Sequence, residues 1–130
     1  KINDFCSCHP SAKSFMSLGQ LRYFSCVKQD DCVVGNYSSG LLEVPSFKKA
    51  TINIGSRQDG RLKSSSVIDC LPKRDEILNA IYRSYSPDFQ SLLLSSHNPY
   101  GNGGAVESIL KVLEEYSLIN VLQKTFFDLS

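Results

Sequence analysis

Long apolar runs are missing from this sequence. The longest, such as Leu92-Leu93-Leu94, fall far short of the roughly 20 residues a spanning helix needs. An excess of charge of one sign is missing too. Fourteen Lys and Arg against thirteen Asp and Glu leave +1, whereas a nucleic-acid binder carries a basic face or stripe. Neither an internal repeat nor a low-complexity tract is present. No charged-then-apolar leader is visible, so nothing argues for secretion and the expected location is cytoplasmic. The five cysteines, Cys6, Cys8, Cys26, Cys32 and Cys70, lack the even count and density of a disulfide framework, and they read as reduced thiols. Cys6-x-Cys8-His9 lacks the second short-spaced pair that a structural zinc site uses, so no metal is expected.

What is present suits a globular fold. Apolar residues make up 42% and charged residues 21% of 130 residues, the size of one domain. Because the first residue is Lys1, the expectation is a piece of a longer chain. Residues 1–13 read as the tail of a truncated helix and a loop, and 105–130 as a C-terminal helix and tail.

Four short strand-like segments alternate with helical or loop stretches: a weak Ser14-Phe15-Met16, then Asp31–Gly35, Ala50–Gly55 and Ser66–Cys70. Short apolar strands separated by helices predict a parallel sheet in an α/β layer fold. Helices are predicted over Gln20–Gln29, over Arg74–Ser84 with Ile77, Leu78, Ile81 and Tyr82 on one face, and over Ala105–Tyr116. Ser86–Leu94 reads as a further short helix, with Ser86 as N-cap and Pro87 at the first position. Asn98-Pro99-Tyr100-Gly101-Asn102-Gly103-Gly104 is a loop. The tail carries Leu118, Ile119, Val121, Leu122 and Phe126, and extends or follows the last helix.

Two strand ends carry chemistry. After Val33-Val34-Gly35 comes the small polar loop Asn36-Tyr37-Ser38-Ser39-Gly40, then Leu41-Leu42-Glu43-Val44-Pro45. Open α/β sheets bind ligands at the carboxyl ends of their strands. Free N–H groups and hydroxyls there suit a phosphate, helped by a helix N-terminus. Glu43 would be awkward beside that anion but suits the vicinal diol of a ribose. The alternative is a plain βα turn with an acid favoured by the helix dipole. After Asn53-Ile54-Gly55, Arg57 and Arg61 flank a second glycine-containing turn. Arginine forks match phosphates, although two solvated surface arginines would look the same. Two complementary strand-end loops in adjacent βα units together favour a nucleotide diphosphate site.

These residues also carry a resemblance. The loop Gly35-Asn36-Tyr37-Ser38-Ser39-Gly40, the step Glu43-Val44-Pro45-Ser46-Phe47, the loop Asn53-Ile54-Gly55-Ser56-Arg57-Gln58-Asp59-Gly60-Arg61 and Val67-Ile68-Asp69 resemble the UDP-N-acetylglucosamine 2-epimerase family. The hydrolysing branch, which makes N-acetylmannosamine or related sugars for sialic-acid-type pathways, is the most similar. Ser17–Tyr23 and Asn98-Pro99-Tyr100-Gly101 also fit, and the match runs from about Ser14 to about Leu113. The resemblance implies a Rossmann-like lobe, most of the C-terminal half of a two-lobed glycosyltransferase-B fold. It implies that Leu18 and Tyr23 line the uracil pocket, the Tyr23 ring stacking on the base. Ser38, with Tyr37 and Ser39 in the same loop, would hold the diphosphate, Glu43 the ribose hydroxyls, and Arg57 the phosphate or sugar side. The implied ligand is UDP-N-acetylglucosamine or a related UDP-amino sugar, with no metal or redox cofactor, no nucleic acid and no membrane. The full-length enzyme is expected to be often oligomeric.

In such a family UDP leaves C1 as a proton leaves C2. Water then adds to the glycal with inverted C2 geometry, releasing free sugar and UDP. The family's proton-transfer acids and histidine lie upstream, so no catalytic residue is expected here and the N-terminal lobe is the missing partner. His9 and His97 stand outside the matching motifs. Tyr37 occupies the place of a family serine. That departure, with the missing half, leaves a non-catalytic nucleotide-sugar-binding remnant as a rival reading. The donor lobe of a glycosyltransferase is another, disfavoured by the Arg57-Gln58-x-Gly60-Arg61 loop.

Overall fold

The computed structural model describes residues 1–117 and residue 119. Helix α1 (Ile2–Cys8) and helix α2 (Gly19–Gln29) precede strand β1 (Cys32–Gly35). A single helical turn, α3 (Ser39–Leu42), and a 3-10 turn at Val44–Phe47 lead to strand β2 (Ala50–Ile54). Strand β3 (Val67–Cys70) follows, then helices α4 (Arg74–Ser84), α5 (Pro87–Ser95) and α6 (Ala105–Glu115). The tail residues Leu118, Val121, Leu122 and Phe126, expected to extend or follow α6, lie outside the described residues.

The fold is α/β with a parallel three-stranded sheet in the order β1-β2-β3. β2 is the central strand and buried along nearly its whole length. A parallel strand covered on both faces needs apolar side chains in both directions or polar ones that are bonded. Ala50 and Ile52 join Ile68, Ala80, Phe89 and Leu93 in a core beneath α4 and α5. Thr51 alternates to the opposite face, where α3 packs. Its hydroxyl donates to the Gly40 carbonyl at 2.7 Å. A Cβ on Gly40 would stand 2.7 Å from the Thr51 methyl, so this close approach of α3 to the sheet requires glycine.

The fourth expected strand, Ser14–Met16, is absent, because these residues form an irregular, exposed approach to α2. Three residues without a β-branched side chain have little to hold them in a sheet. The expected helices α2 and α4–α6 are present to within a residue or two. At α5 the Ser86 hydroxyl accepts from the Phe89 N–H at 3.3 Å, with Pro87 in the first turn. Helix α6 keeps the expected apolar spacing, but Val106, Ile109, Leu110, Val112 and Leu113 are all exposed. No helix among the described residues is long and apolar enough to cross a membrane.

Candidate functional site

At the carboxyl end of the sheet, an open cleft of about 570 Å³ runs between α2 and α3. One wall is the segment Phe15 to Gln20; the other is formed by Tyr23, Phe24, Ser39 and Glu43. Four of the sequence-predicted residues, Leu18, Tyr23, Ser39 and Glu43, therefore meet on one surface. Leu18 is the N-cap of α2 and leads into Gly19, whose φ of 66° lies in the left-handed region. That turn aims the segment preceding α2 across the cleft.

The Tyr23 hydroxyl donates to Ser39 Oγ at 3.1 Å. With that lone pair engaged, the Ser39 hydroxyl proton is left to donate outward. Ser38, the N-cap of α3, already has helical φ and ψ, and its hydroxyl makes no capping bond. Two hydroxyls thus stand at one loop. Because α3 is a single turn, its dipole is too small to hold an anion alone. A ligand anion at this loop would therefore be met by hydroxyls and loop N–H groups more than by a helix end.

Glu43 closes α3 and is half-buried. Its backbone is fixed from both sides by Asn98, which donates through Nδ2 to the Leu42 carbonyl at 2.7 Å and to Ser46 Oγ at 2.8 Å. Phe24 packs on Phe47 with ring centroids 5.5 Å apart, tying α2 to the 3-10 turn that follows Glu43. A carboxylate held this way presents its oxygens as acceptors to a neutral diol.

Tyr37, Ser38 and Arg57 do not line this cleft; Ser38 adjoins it through its neighbour Ser39. The Tyr37 ring lies against Gly35, where a Cβ would meet it at 3.0 Å, and 66% of the residue is exposed. Arg57 is exposed on the turn after β2. The β1 and β2 loops leave neighbouring strands in register, Gly35 opposite Asn53, so Arg57 belongs to the same sheet end. His9 stacks on Phe5 and shares a 2.9 Å hydrogen bond between its Nδ1 and the Phe5 carbonyl, while His97 is exposed. Neither histidine lines the cleft.

Sequence reasoning missed the wall made by Phe15, Met16, Ser17 and Gln20, having assigned its first part to a strand. Ser17–Tyr23 did fit the family pattern, and that was the available signal. Beside the site, Lys63 Nζ donates to both Asp69 oxygens at 2.8 and 2.9 Å, and Asn53 donates to one of them at 2.6 Å. Burial raises the Asp69 pKa, but these hydrogen bonds and the Lys63 charge outweigh it and hold the carboxyl below the ordinary range.

A family model described as UDP-N-acetylglucosamine 2-epimerase matches residues 1–114. The Escherichia coli polysialic acid biosynthesis protein P7 is 35% identical over 130 residues, covering 99% of this chain and 33% of that protein. A Campylobacter jejuni GDP/UDP-N,N'-diacetylbacillosamine 2-epimerase (hydrolyzing) is 39% identical over 119 residues, covering 91% of this chain and 30% of that protein. A Legionella pneumophila UDP-N,N'-diacetylbacillosamine 2-epimerase (hydrolyzing) is 30% identical over 110 residues, covering 85% and 28%. The chain spans about a third of the length of the curated relatives it matches.

Proposed function

Since the chain belongs to the UDP-N-acetylglucosamine 2-epimerase family, we propose that it is the C-terminal, nucleotide-binding part of a hydrolysing 2-epimerase acting on a UDP-amino sugar. The observation that carries this reading is the convergence of Leu18, Tyr23, Ser39 and Glu43 on one open cleft at the carboxyl end of a parallel sheet. The uracil lies between Leu18 and the Tyr23 ring, Glu43 takes the ribose hydroxyls, and the hydroxyls of Ser38 and Ser39 meet the diphosphate. Tyr37 flanks that loop, and Arg57 approaches the phosphates from the second loop.

In the reaction the C1–O bond to UDP breaks as the C2–H bond gives its proton to a base, leaving a C1=C2 double bond. Water then adds its hydroxyl to C1, and a proton returns to the opposite face of C2. The base must come within hydrogen-bond reach of that proton. Glu43 is the one carboxylate lining the cleft among the described residues, and it is committed to the ribose. This chain therefore binds and orients UDP as the leaving group, and the proton-transfer groups come from the two thirds of the family length outside the match. UDP-N-acetylglucosamine fits the family name. The Campylobacter and Legionella relatives, named for N,N'-diacetylbacillosamine, make a diacetylated UDP sugar the second candidate substrate.

Titration calorimetry with UDP and GDP tests the reading. UDP binds, and Glu43→Ala weakens it by about 1–3 kcal/mol through lost charged hydrogen bonds. Arg57→Ala weakens it too and makes the remaining affinity less sensitive to salt. Unchanged UDP affinity in both variants would overturn the site.

A further inference from the structure

Gln58 sits on the turn after β2 between the exposed residues Arg57 and Asp59, yet only 3% of it is exposed. A glutamine on a surface turn is normally solvated. This one folds back across the sheet end, and its Nε2 donates to the main-chain carbonyl of Asn36 at 2.8 Å. Asn36 is the first residue after β1 and lies two positions before Ser38. The Gln58 Oε1 is buried with no hydrogen-bond partner among the described residues. A carboxamide buried at that cost is held in place by its single tether and the packing around it.

The tether joins the two loops that carry the proposed diphosphate contacts. The strands fix where each loop begins, and the turn Ser56–Gly60 is closed on itself by the Asp59 N–H to Ser56 carbonyl bond, with the Arg61 N–H to Gln58 carbonyl bond beside it, and tied towards β3 by Asp59, 3.9 Å from the Lys63 Nζ that also holds Asp69. Among the described residues, the Gln58 bond is the one hydrogen bond that ties the Arg57 turn to the Asn36–Ser39 loop; without it the turn is held towards β3 and not towards Ser38. Resting on the reading given under Proposed function, we infer that Gln58 is a positioning residue: it clamps the Arg57 turn to the Asn36–Ser39 loop so that both engage one diphosphate. A tether of this kind matters for ligands with phosphates and not for the nucleoside alone.

The test uses Gln58→Met, which keeps the length and removes the donor, together with Gln58→Ala, Arg57→Ala and the Gln58→Met/Arg57→Ala double variant. UDP and uridine are titrated into each, and thermal unfolding is followed in parallel. Gln58→Met is expected to weaken UDP roughly 3–10-fold, the worth of one hydrogen bond, with uridine affinity unchanged. In the Arg57→Ala background the same substitution is expected to have no further effect on UDP. A purely structural glutamine would lower thermal stability and weaken UDP and uridine alike, with additive effects; that result overturns the clamp. If Gln58→Ala unfolds the chain, Gln58→Met decides. Failure of the unsubstituted chain to bind either ligand would overturn the nucleotide-site reading itself, and the clamp with it. Binding of UDP with additive Gln58 and Arg57 effects would overturn the clamp alone.

Discussion

Tyr23 on α2 and Ser39 on α3 are hydroxyl to hydroxyl, 3.1 Å apart, within one wall of the cleft. One side chain belongs to the wall that would hold a base and the other to the loop that would hold phosphates. The bond couples the proposed base and phosphate subsites and orients the Ser39 proton.

Tyr23→Phe separates these roles. The ring is kept and the hydroxyl lost, so uridine affinity should stay unchanged. UDP should bind more weakly, by about 0.5–1.5 kcal/mol, because Ser39 loses its orienting donor. Calorimetry with both ligands reads the difference. Equal UDP affinity in the two proteins would show that the bond serves packing alone.

The parts of this fold legible in the sequence are those set by local signals. The Arg74–Ser84 helix is announced by its spacing of apolar residues, and the start of α5 by Ser86 and Pro87. The strands at Cys32, Ala50 and Val67 show as short β-branched runs ending in polar loops. The two loops and Glu43 were legible as well, since each lies at a strand end or just beyond it. Features made by distant partners were not. Gln58 is buried because it bonds a carbonyl 22 positions earlier, and Asn98 braces a backbone 56 positions earlier. Neither contact leaves a periodic trace. The Phe15–Gln20 wall was misread because its conformation follows from what it faces and not from its own propensity. The apolar spacing of α6 identifies a helix, but spacing alone does not say whether that face is covered.

Acid should separate Asp69 from the other carboxylates. Its folded pKa lies below the ordinary Asp value, so the unfolded chain takes up the proton at a higher pH than the folded chain does. The stability this contributes is present above the ordinary Asp pKa of about 3.9 and is lost as the pH falls towards the folded value. Asp69 is about half exposed, so the effect is modest. Urea unfolding between about pH 5 and pH 2.5 should show a steeper loss in the unsubstituted chain than in Asp69→Asn. Parallel pH profiles would mean that the Lys63 and Asn53 bonds carry no net stabilisation.

Gly40 tests how tightly α3 is seated. A methyl there meets the Thr51 methyl at 2.7 Å. Thr51 is buried and its hydroxyl is committed to the Gly40 carbonyl, so it has no free rotamer to move to. Gly40→Ala should cost about 1–3 kcal/mol of stability by overpacking. Thr51→Ser keeps the hydroxyl and removes the methyl. The double variant should therefore be less destabilised than the sum of the two singles, because the clash partner is gone. Additive losses in chemical denaturation would place the strain elsewhere.

Tyr37 stands where the resemblance noted in the sequence implies a serine, and its surroundings say which part of the side chain matters. The ring covers Gly35, where any side chain would crowd it at 3.0 Å, and most of the residue remains exposed outside the cleft wall. A phenol in that position packs on the strand end, outside the cleft that Ser39 lines. Tyr37→Phe should then leave UDP affinity unchanged. Tyr37→Ser should preserve or improve UDP binding, since it adds a hydroxyl near Ser38 and removes bulk, while uncovering Gly35 lowers stability by about 1 kcal/mol at most for so exposed a ring. Paired measurements of UDP affinity and urea midpoint on both variants decide the matter. A Tyr37→Phe loss of about 1 kcal/mol in UDP binding would instead assign the phenol hydroxyl to the diphosphate, and the serine of the family pattern would then have been replaced group for group.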